Sequence, residues 1–331
     1  MSPVFHLYTK FLAKWIFFQC CVIIFGTYHQ KNRNKNQLLC VERITGDFMT
    51  VINWYPGHMA KAGKEIKNQA ALCDLILEIA DARLPESSRN PELRKYIGKK
   101  NSILVLNKAD LTDKNDRDAW LRYYHGINQK AAFVAAQRRM GFRDLELLLN
   151  EEISVLNQSM AERGRRPRPL RVMMVGIPNC GKSALLNALA GSKKAKTGNK
   201  PGLTRSLQWV RTGENWELLD SPGILWPKLE DQDAAMRLAV VGSISKDACS
   251  EEESGWYLLN WLIRNHPQVF AERYKVETLP EYPEELLEIV ARNRGMVRKG
   301  GIRETETYIM LLKEFREGKM GPLMLELPPE E

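Results

Sequence analysis

The sequence predicts an α/β fold, in which a mostly parallel sheet has helices on both faces and a smaller helical domain follows. Apolar strand-like runs alternate with helix-like segments through residue 230, which is the pattern of a parallel sheet joined by crossover helices. From about Asp231 onward the pattern is helical, and the next strand-like run is Leu323 to Leu327. These two observations divide the chain into an α/β part and a helical part.

Each predicted strand is a short buried run with polar or turn-forming residues at its end. The predicted strands are Leu75 to Ala80, Ser102 to Leu106, Ala132 to Ala136, Arg171 to Val175, Ser206 to Arg211 and Trp216 to Leu219. The last two predict a hairpin, because Gly213, Glu214 and Asn215 between them suit a turn. The proline- and arginine-rich stretch from Gly164 to Leu170 predicts an exposed linker.

The composition is that of a globular protein with an excess of basic residues. The chain has 331 residues, 44% apolar content and a net charge of +9. Eleven Lys or Arg residues and no acidic residue lie between Arg163 and Arg205, and a second acid-free cluster runs from Arg292 to Arg303. Such a cluster is either a solvated face or a nucleic-acid contact, and charge alone leaves both open.

The first 48 residues differ from the rest. An apolar run from Trp15 to Tyr28, interrupted by Gln19, is short for a membrane span, although a signal anchor stays open. We expect Met49 to be the true start and the preceding residues to be upstream translation or disordered. The six cysteines form no C-x-x-C pair, so we expect no zinc site. The predicted domains are an extension over 1–48, an α/β domain over 49–230 and a helical domain over 231–331.

A phosphate-binding loop is the first chemical motif. Residues 176–183 read G-I-P-N-C-G-K-S, which fits G-x-x-x-x-G-K-S between a predicted strand and a predicted helix. Glycines let backbone amides wrap phosphates at a helix N-terminus. Lys182 would reach the β- and γ-phosphates, and the Ser183 hydroxyl would bind Mg²⁺.

Two further motifs suit a nucleoside triphosphate. Residues 220–223, D-S-P-G, fit a D-x-x-G sensor in which Asp220 holds Mg²⁺ through water and the Gly223 amide meets the γ-phosphate. Thr204, in P-G-L-T-R, is placed to complete the Mg²⁺ shell. The three motifs together predict a Mg²⁺-dependent nucleotide hydrolase.

A guanine-recognition motif precedes the phosphate loop instead of following it. Residues 107–110 read N-K-A-D, and the Asp110 carboxylate can pair with the N1–H and 2-amino donors of guanine, which adenine lacks. Ala135 and Ala136 lie where a backbone amide usually meets guanine O6. This order predicts a circularly permuted P-loop GTPase domain, whose phosphate sensor leads directly into the helical domain.

The motifs do not identify the group that orders the attacking water. Ile224 follows Gly223, and an isoleucine cannot hold water by hydrogen bonding. Another group, a bound cation or a partner must do so. Asn179 could help to hold a monovalent cation near the phosphates. His58 is a candidate, but a lone histidine is more often structural than catalytic, and both roles stay open.

Taken together, the motifs N-W-Y-P-G-H-M-A-K-A, D-A-R-L-P-E-S-S-R-N-P, N-K-A-D, G-I-P-N-C-G-K-S, P-G-L-T-R and D-S-P-G-I-L-W-P-K resemble the ribosome-biogenesis GTPase A family, also called YlqF, with its relative mitochondrial GTPase 1. The resemblance runs from about Ile52 to Leu325. It implies a cytoplasmic GTPase that binds the maturing large ribosomal subunit and its rRNA and hydrolyses GTP during a late assembly step. It also implies that His58 supports hydrolysis, that K⁺ stimulates it through Asn179, and that the helical domain contacts rRNA.

The expected site follows from the motifs and the resemblance. We expect a monomer that uses GTP, Mg²⁺ and K⁺ and has no stable membrane partner. The expected GTP-binding residues are Asn107, Lys108, Ala109, Asp110, Ala135, Ala136, Asn179, Cys180, Gly181, Lys182, Ser183, Ala184, Thr204, Asp220 and Gly223. The expected Mg²⁺ ligands are Ser183 and Thr204, the K⁺ ligand is Asn179, and the rRNA contacts are Arg292, Arg294, Arg298 and Lys299.

Two other classes of function are consistent with parts of the sequence. A membrane-anchored signalling GTPase would require the apolar run near Trp15 to be an anchor, which N-terminal protein sequencing would test. A non-enzymatic RNA-binding scaffold would require a damaged nucleotide motif, and none is damaged. Permuted GTPases with an OB-fold and a zinc site are a poorer match, because this chain lacks the required strands and cysteines.

Overall fold

A computed structural model describes residue 64 and residues 66–191, 208–212, 215–220 and 231–329, with backbone alone at 208 and 220. These residues belong to one compact unit, Val51–Glu331. The extension over 1–48, His58, Thr204, Gly223 and Ile224 lie outside the described residues. No helix in the described ranges is long and apolar enough to cross a membrane.

The centre of the fold is a mostly parallel sheet. Its strands are β1 (Leu75–Asp81), β2 (Asn101–Asn107), β3 (Ala131–Phe133), β4 (Leu170–Gly176), β5 (Gln208–Thr212) and β6 (Trp216–Asp220). They lie in the order β3-β2-β1-β4-β6-β5. β5 is antiparallel to β6, as the predicted hairpin requires, and the other neighbours are parallel.

Helices connect and follow the strands. They are α1 (Leu93–Ile97), α2 (Lys114–Gly126), α3 (Phe142–Glu162), α4 (Lys182–Leu189), α5 (Gln232–Val240), α6 (Glu251–Asn265), α7 (Gln268–Tyr274), α8 (Pro283–Asn293) and α9 (Glu304–Arg316). Their ends carry local signals. Asp113 accepts a hydrogen bond from the Asn115 amide at the start of α2, and Ser250 and Glu253 form a capping box at the start of α6.

Both faces of the sheet are covered, as predicted. All seven residues of β1 are buried. Leu75, Leu77 and Ile79 join a core cluster that also includes buried residues of α3, α4 and the helices from α5 to α9. Ile76 points to the opposite face and packs with Leu93 of α1. The helical part therefore shares its core with the sheet, and the division of the chain into domains at residue 230 stays a prediction.

Three predictions about strands are wrong in detail, and the first two concern the end of β3 and the helical part. β3 ends at Phe133 and not at Ala136, because the backbone turns sharply where Ala135 pairs with Met140. The helical part also contains a small hairpin that was not predicted, formed by β7 (Val297–Arg298) and β8 (Gly301–Ile302). Lys299 and Gly300 form its turn.

The run from Leu323 to Leu327 is not a strand. Its amides bind loop carbonyl groups, since Leu323 N donates to Leu111 O at 3.0 Å and Leu325 N donates to Arg83 O at 2.9 Å. The Glu326 carboxylate accepts hydrogen bonds from the Glu86 and Ser87 amides. We call residues 323–326 the C-terminal brace, because they tie two loops at the carboxyl edge of the sheet to the helical part.

Candidate nucleotide-binding site

The predicted motifs meet at one edge of the sheet. β1 ends at Asp81, β2 at Asn107 and β4 at Gly176, and these three strands are parallel neighbours. In open α/β sheets, ligands bind outside the carboxyl ends of such strands. Residues that are far apart in the sequence therefore converge on one site.

The phosphate loop has the predicted context, between β4 and α4. Its first glycine is required because a Cβ at Gly176 would lie 2.2 Å from the Ile79 carbonyl oxygen. Gly181 has a φ of 91° and caps the N-terminus of α4, where the backbone amides favour anions. A Cβ at Gly181 would lie 2.3 Å from Nδ2 of Asn107. Both glycines therefore permit backbone approaches that no side chain would allow.

Lys182 is the first residue of α4 and is buried. Its Nζ donates to the carbonyl oxygens of Gly176 and Ile177, at 3.0 Å in each case. The ammonium group therefore lies inside the loop. Ser183 and Ala184 follow and are half-buried. A serine hydroxyl beside this loop is the kind of hard oxygen ligand that Mg²⁺ accepts together with phosphate oxygens and water, so the residues fit the metal.

Asn107 joins three loops. It is 2% exposed, its Nδ2 donates to the Cys180 carbonyl oxygen at 2.9 Å, and its Oδ1 accepts from the Ala136 amide at 3.1 Å. The base-recognition motif, the phosphate loop and the loop after β3 are thus held by one side chain. Cys180 is itself buried, and this burial raises the pKa of its thiol.

The base-recognition motif begins where β2 ends. Lys108 has a left-handed backbone with a φ of 65°, and a short 3₁₀ turn follows at Ala109–Leu111. The Ala109 amide donates to Val134 O at 3.0 Å. The Asp110 carboxylate lies 3.0 Å from Nε of Arg138 and its side chain is 17% exposed. A partly buried carboxylate, paired with an exposed arginine, is therefore held on a tight turn.

The loop after β3 differs from the expectation. The amide of Ala135 donates to Met140 O, and the amide of Ala136 is bonded to Asn107. Neither amide is available to a guanine oxygen in this arrangement. The next residue, Gln137, is exposed, and its amide makes no hydrogen bond with any residue that the structure describes. The motif spacing alone could not decide between these neighbouring amides.

Asn179 connects the phosphate loop to the helical part. It has a left-handed backbone with a φ of 60°, and its Nδ2 donates to the carbonyl oxygen of Gly242 at 2.7 Å. Gly242 follows α5, and Arg316 of α9 binds the Val240 and Ala239 carbonyl groups beside it. No local pattern in the sequence predicts this contact.

All four predicted rRNA-contacting residues are exposed, and two of them, Arg292 and Arg294, are also paired with acidic residues. Arg298 and Lys299 are exposed at the β7–β8 hairpin. Arg292 pairs with Glu288 on the surface of α8. Arg294 binds Glu314 at 3.4 Å and lies 5.1 Å from the ring centroid of Tyr274. Arg294 is therefore exposed and also paired with an acid of another helix, a contact that an acid-free sequence run could not indicate.

The fold and the site define a P-loop GTPase domain whose guanine motif precedes its phosphate loop. A family profile described as "50S ribosome-binding GTPase" matches residues 171–254. A ribosome biogenesis GTPase A from Bacillus cereus is 39% identical over 281 residues, which cover 85% of this chain and 95% of the relative. The chain therefore belongs to the ribosome biogenesis GTPase A family of circularly permuted GTPases.

More distant comparisons agree with this membership. A mitochondrial ribosome-associated GTPase 1 from Ictalurus punctatus is 30% identical over 296 residues, with 83% of this chain and 92% of the relative covered. The crystal structure of GNP-bound YlqF from T. maritima has a TM-score of 0.55 at 25% identity, and covers 82% of this chain and all of that one. The predicted family and the permuted fold are confirmed.

Proposed function

We propose that this GTPase binds the maturing large ribosomal subunit and hydrolyses GTP during a late step of its assembly, with turnover accelerated by the subunit. The observation that carries the proposal is the Asn107 side chain, which joins the guanine motif to the phosphate loop across the sheet. The family membership and the match to a ribosome-binding profile support the ribosomal part.

In the proposed complex, GTP lies along the carboxyl edge of the sheet. Asp110 accepts from the two guanine donors, the Gln137 amide binds the O6 atom, and Lys182 contacts the β- and γ-phosphates. Ser183 and Thr204 would hold Mg²⁺ directly, Asp220 would hold it through water, and the Gly223 amide would sense the γ-phosphate. When bound, Mg²⁺ neutralises the charge that develops on the phosphate oxygens.

Hydrolysis needs a group that orders water. Ile224 cannot do so, and we assign this role to His58 acting near the γ-phosphate. K⁺ would add positive charge there through Oδ1 of Asn179, whose Nδ2 is already bound to Gly242. These two assignments explain how a chain without a glutamine after the sensor can still turn over GTP.

The basic surface of the helical part would face rRNA. Arg298 at the end of β7 and Lys299 in the following two-residue turn are exposed, and such residues can neutralise phosphates without disturbing the fold. Arg292 lies in the last turn of α8, close in sequence to this hairpin. Arg294 follows α8 and pairs with Glu314 of α9. We expect the protein to act as a monomer in the cytoplasm, without a stable membrane partner.

Co-sedimentation tests the proposal. The chain is incubated with purified large subunits, with their precursors, or with small subunits, in a non-hydrolysable GTP analogue or in GDP. We expect co-sedimentation with large-subunit particles in the GTP analogue, weaker binding in GDP, and faster GTP turnover when large subunits are added. Equal binding to small subunits, or turnover that large subunits leave unchanged, would contradict the proposal.

A further inference from the structure

Asp81 ends β1, beside the base-recognition motif, and is fully buried. Its Oδ2 accepts a hydrogen bond from Nζ of Lys108 at 2.8 Å. The same oxygen accepts from Nη2 of Arg83 at 2.7 Å, and Oδ1 accepts from Nε of Arg83 at 2.9 Å. One buried carboxylate therefore pairs with two cationic side chains, and one of these is the lysine of the N-K-x-D motif.

We propose that Asp81 is a positioning residue for guanine recognition, which holds the Lys108 side chain in place for the base before the nucleotide arrives. The inference rests on the proposed GTP site and extends it to a residue that contacts no nucleotide atom. Asp81 acts through Lys108, whose side chain is 26% exposed, whereas Asp81 itself has no exposed surface.

The charge balance supports this assignment. A buried carboxylate must be paired with cations and hydrogen bonds to remain ionised. Burial alone would raise the pKa of Asp81, but the charges of Arg83 and Lys108 outweigh it and hold that pKa below its usual range. Asp81 is therefore ionised at neutral pH and attracts the Lys108 ammonium group continuously.

Arg83 fixes the carboxylate and leaves Lys108 as the adjustable partner. The Arg83 guanidinium lies 5.2 Å from the ring centroid of Phe315, and its carbonyl oxygen accepts from Leu325 of the C-terminal brace. Arg83 is 1% exposed, so its guanidinium is enclosed by the fold. The pair Asp81–Arg83 thus forms a rigid anchor, and Lys108 extends from it toward the site.

The benefit is preorganisation. A free lysine side chain samples many rotamers, and ordering it on binding lowers affinity. If Asp81 orders Lys108 in the nucleotide-free protein, loss of the charged pair should weaken GTP binding by about 2- to 13-fold. The effect should disappear when Lys108 is already absent, because Asp81 then has nothing to position.

A double-mutant cycle tests this coupling with the full chain and Mg²⁺–GTP. The variants are Asp81→Asn, Lys108→Met and the double variant, and dissociation constants are measured by competition with a fluorescent guanine nucleotide. We expect Asp81→Asn to weaken binding in the parent but not in the Lys108→Met background. An equal loss in both backgrounds, or no loss in the parent, overturns the inference.

A matched control and a second variant separate positioning from folding. Asp74 directly precedes β1 and pairs with Arg168 at 2.7 and 2.8 Å, so Asp74→Asn should lower thermal stability without changing GTP affinity. If Asp81→Asn does not fold, Asp81→Asn with Arg83→Met removes the unpaired guanidinium and still leaves Lys108 without its carboxylate. The same dependence on Lys108 is then expected, and its absence overturns the inference.

Different results would overturn the proposed GTPase function and the positioning role of Asp81. A parent chain that does not bind GTP would overturn the proposed function and this inference with it. A parent that binds GTP, combined with independent effects of Asp81→Asn and Lys108→Met, would leave the GTPase assignment intact and overturn the positioning role of Asp81 alone.

Discussion

Nδ2 of Asn107 donates to the carbonyl oxygen of Cys180 at 2.9 Å, although 73 residues separate them. Asn107 ends β2 and Cys180 lies after β4, and β1 lies between these strands in the sheet. The contact depends on where the strands end and not on their order in the chain. A permuted chain can therefore build a guanine-nucleotide site with the same local contacts.

Gly181 is the position where this contact is most sensitive. Gly181→Ala places a Cβ 2.3 Å from Nδ2 of Asn107 at a φ of 91°, so the Asn107 contact must break. Leaving buried polar groups unpaired should weaken GTP binding about 5- to 150-fold. Gly191→Ala is the control, since Gly191 also has a positive φ, of 64°, but no atom of the described residues lies within 4 Å of the added Cβ. It should cost about 1–2 kcal/mol of stability from backbone strain and leave affinity unchanged, and similar affinities for both variants would contradict the prediction.

Asp110 should determine base selectivity. Asp110→Asn replaces one acceptor with a donor that faces the guanine 2-amino group, so GTP affinity should fall about 10- to 150-fold while affinity for xanthosine triphosphate rises. Asp113→Asn is the matched control, because Asp113 caps α2 and asparagine caps equally well. Competition between the two nucleotides measures the change. Unaltered GTP affinity in Asp110→Asn would remove Asp110 from the base contact.

His58 and K⁺ should affect turnover more than binding. His58→Ala should lower subunit-stimulated hydrolysis with little change in GTP affinity, because in the proposed mechanism the imidazole would act on water and not on the bound nucleotide. Parent turnover should be faster in KCl than in NaCl, and Asn179→Ala should reduce that difference. Single-turnover rates on large subunits in each salt provide the measurement. Normal hydrolysis by His58→Ala would mean that the ribosome supplies the group that orders water.

The hairpin residues offer a cleaner test of rRNA binding than Arg294 does. Arg298→Ala combined with Lys299→Ala should weaken co-sedimentation with large subunits and lower the log–log salt slope by about 1 to 2, with no change in melting temperature. Arg294→Ala should instead lower the melting temperature, because Glu314 loses a partner and Tyr274 loses the guanidinium above its ring. Unaltered binding at every salt concentration in the hairpin variant would mean that the rRNA contact lies elsewhere.

The buried thiols should resist alkylation at neutral and mildly alkaline pH. Burial raises the pKa of Cys73 to about 11 and that of Cys249 to about 12. Because these pKa values lie above those of the unfolded chain, the thiols stabilise the fold below about pH 9 and lose that contribution as pH rises toward 11 and 12. Mass spectrometry after iodoacetamide treatment at pH 8 should find both unmodified in the native protein and modified in urea. Rapid native labelling of either would show that its site opens easily.

The sequence was most informative where local chemistry decides the structure. β1, β2 and β4 are apolar runs that end at polar motifs, and α4 begins at Lys182 because Gly181 precedes it. The sequence was least informative where distant side chains meet. The apolar pattern of Leu323 to Leu327 suits a strand, yet loop carbonyl groups bind it. From the sequence, Arg294 is predicted to be a free surface charge, but in the fold Glu314 of α9 lies beside it.

The C-terminal brace has a consequence for how the protein is made. Its residue Glu326 binds the Glu86 amide, which is synthesised 240 residues earlier. At about 5–20 residues per second, translation needs about 12–48 s to cover that distance. During this interval the nascent chain contains the guanine motif, but the loop at Glu86 lacks its hydrogen bond to Glu326. Guanine-nucleotide affinity should therefore reach its full value only when the C-terminal brace has been synthesised. An unfinished chain would bind cellular GTP weakly.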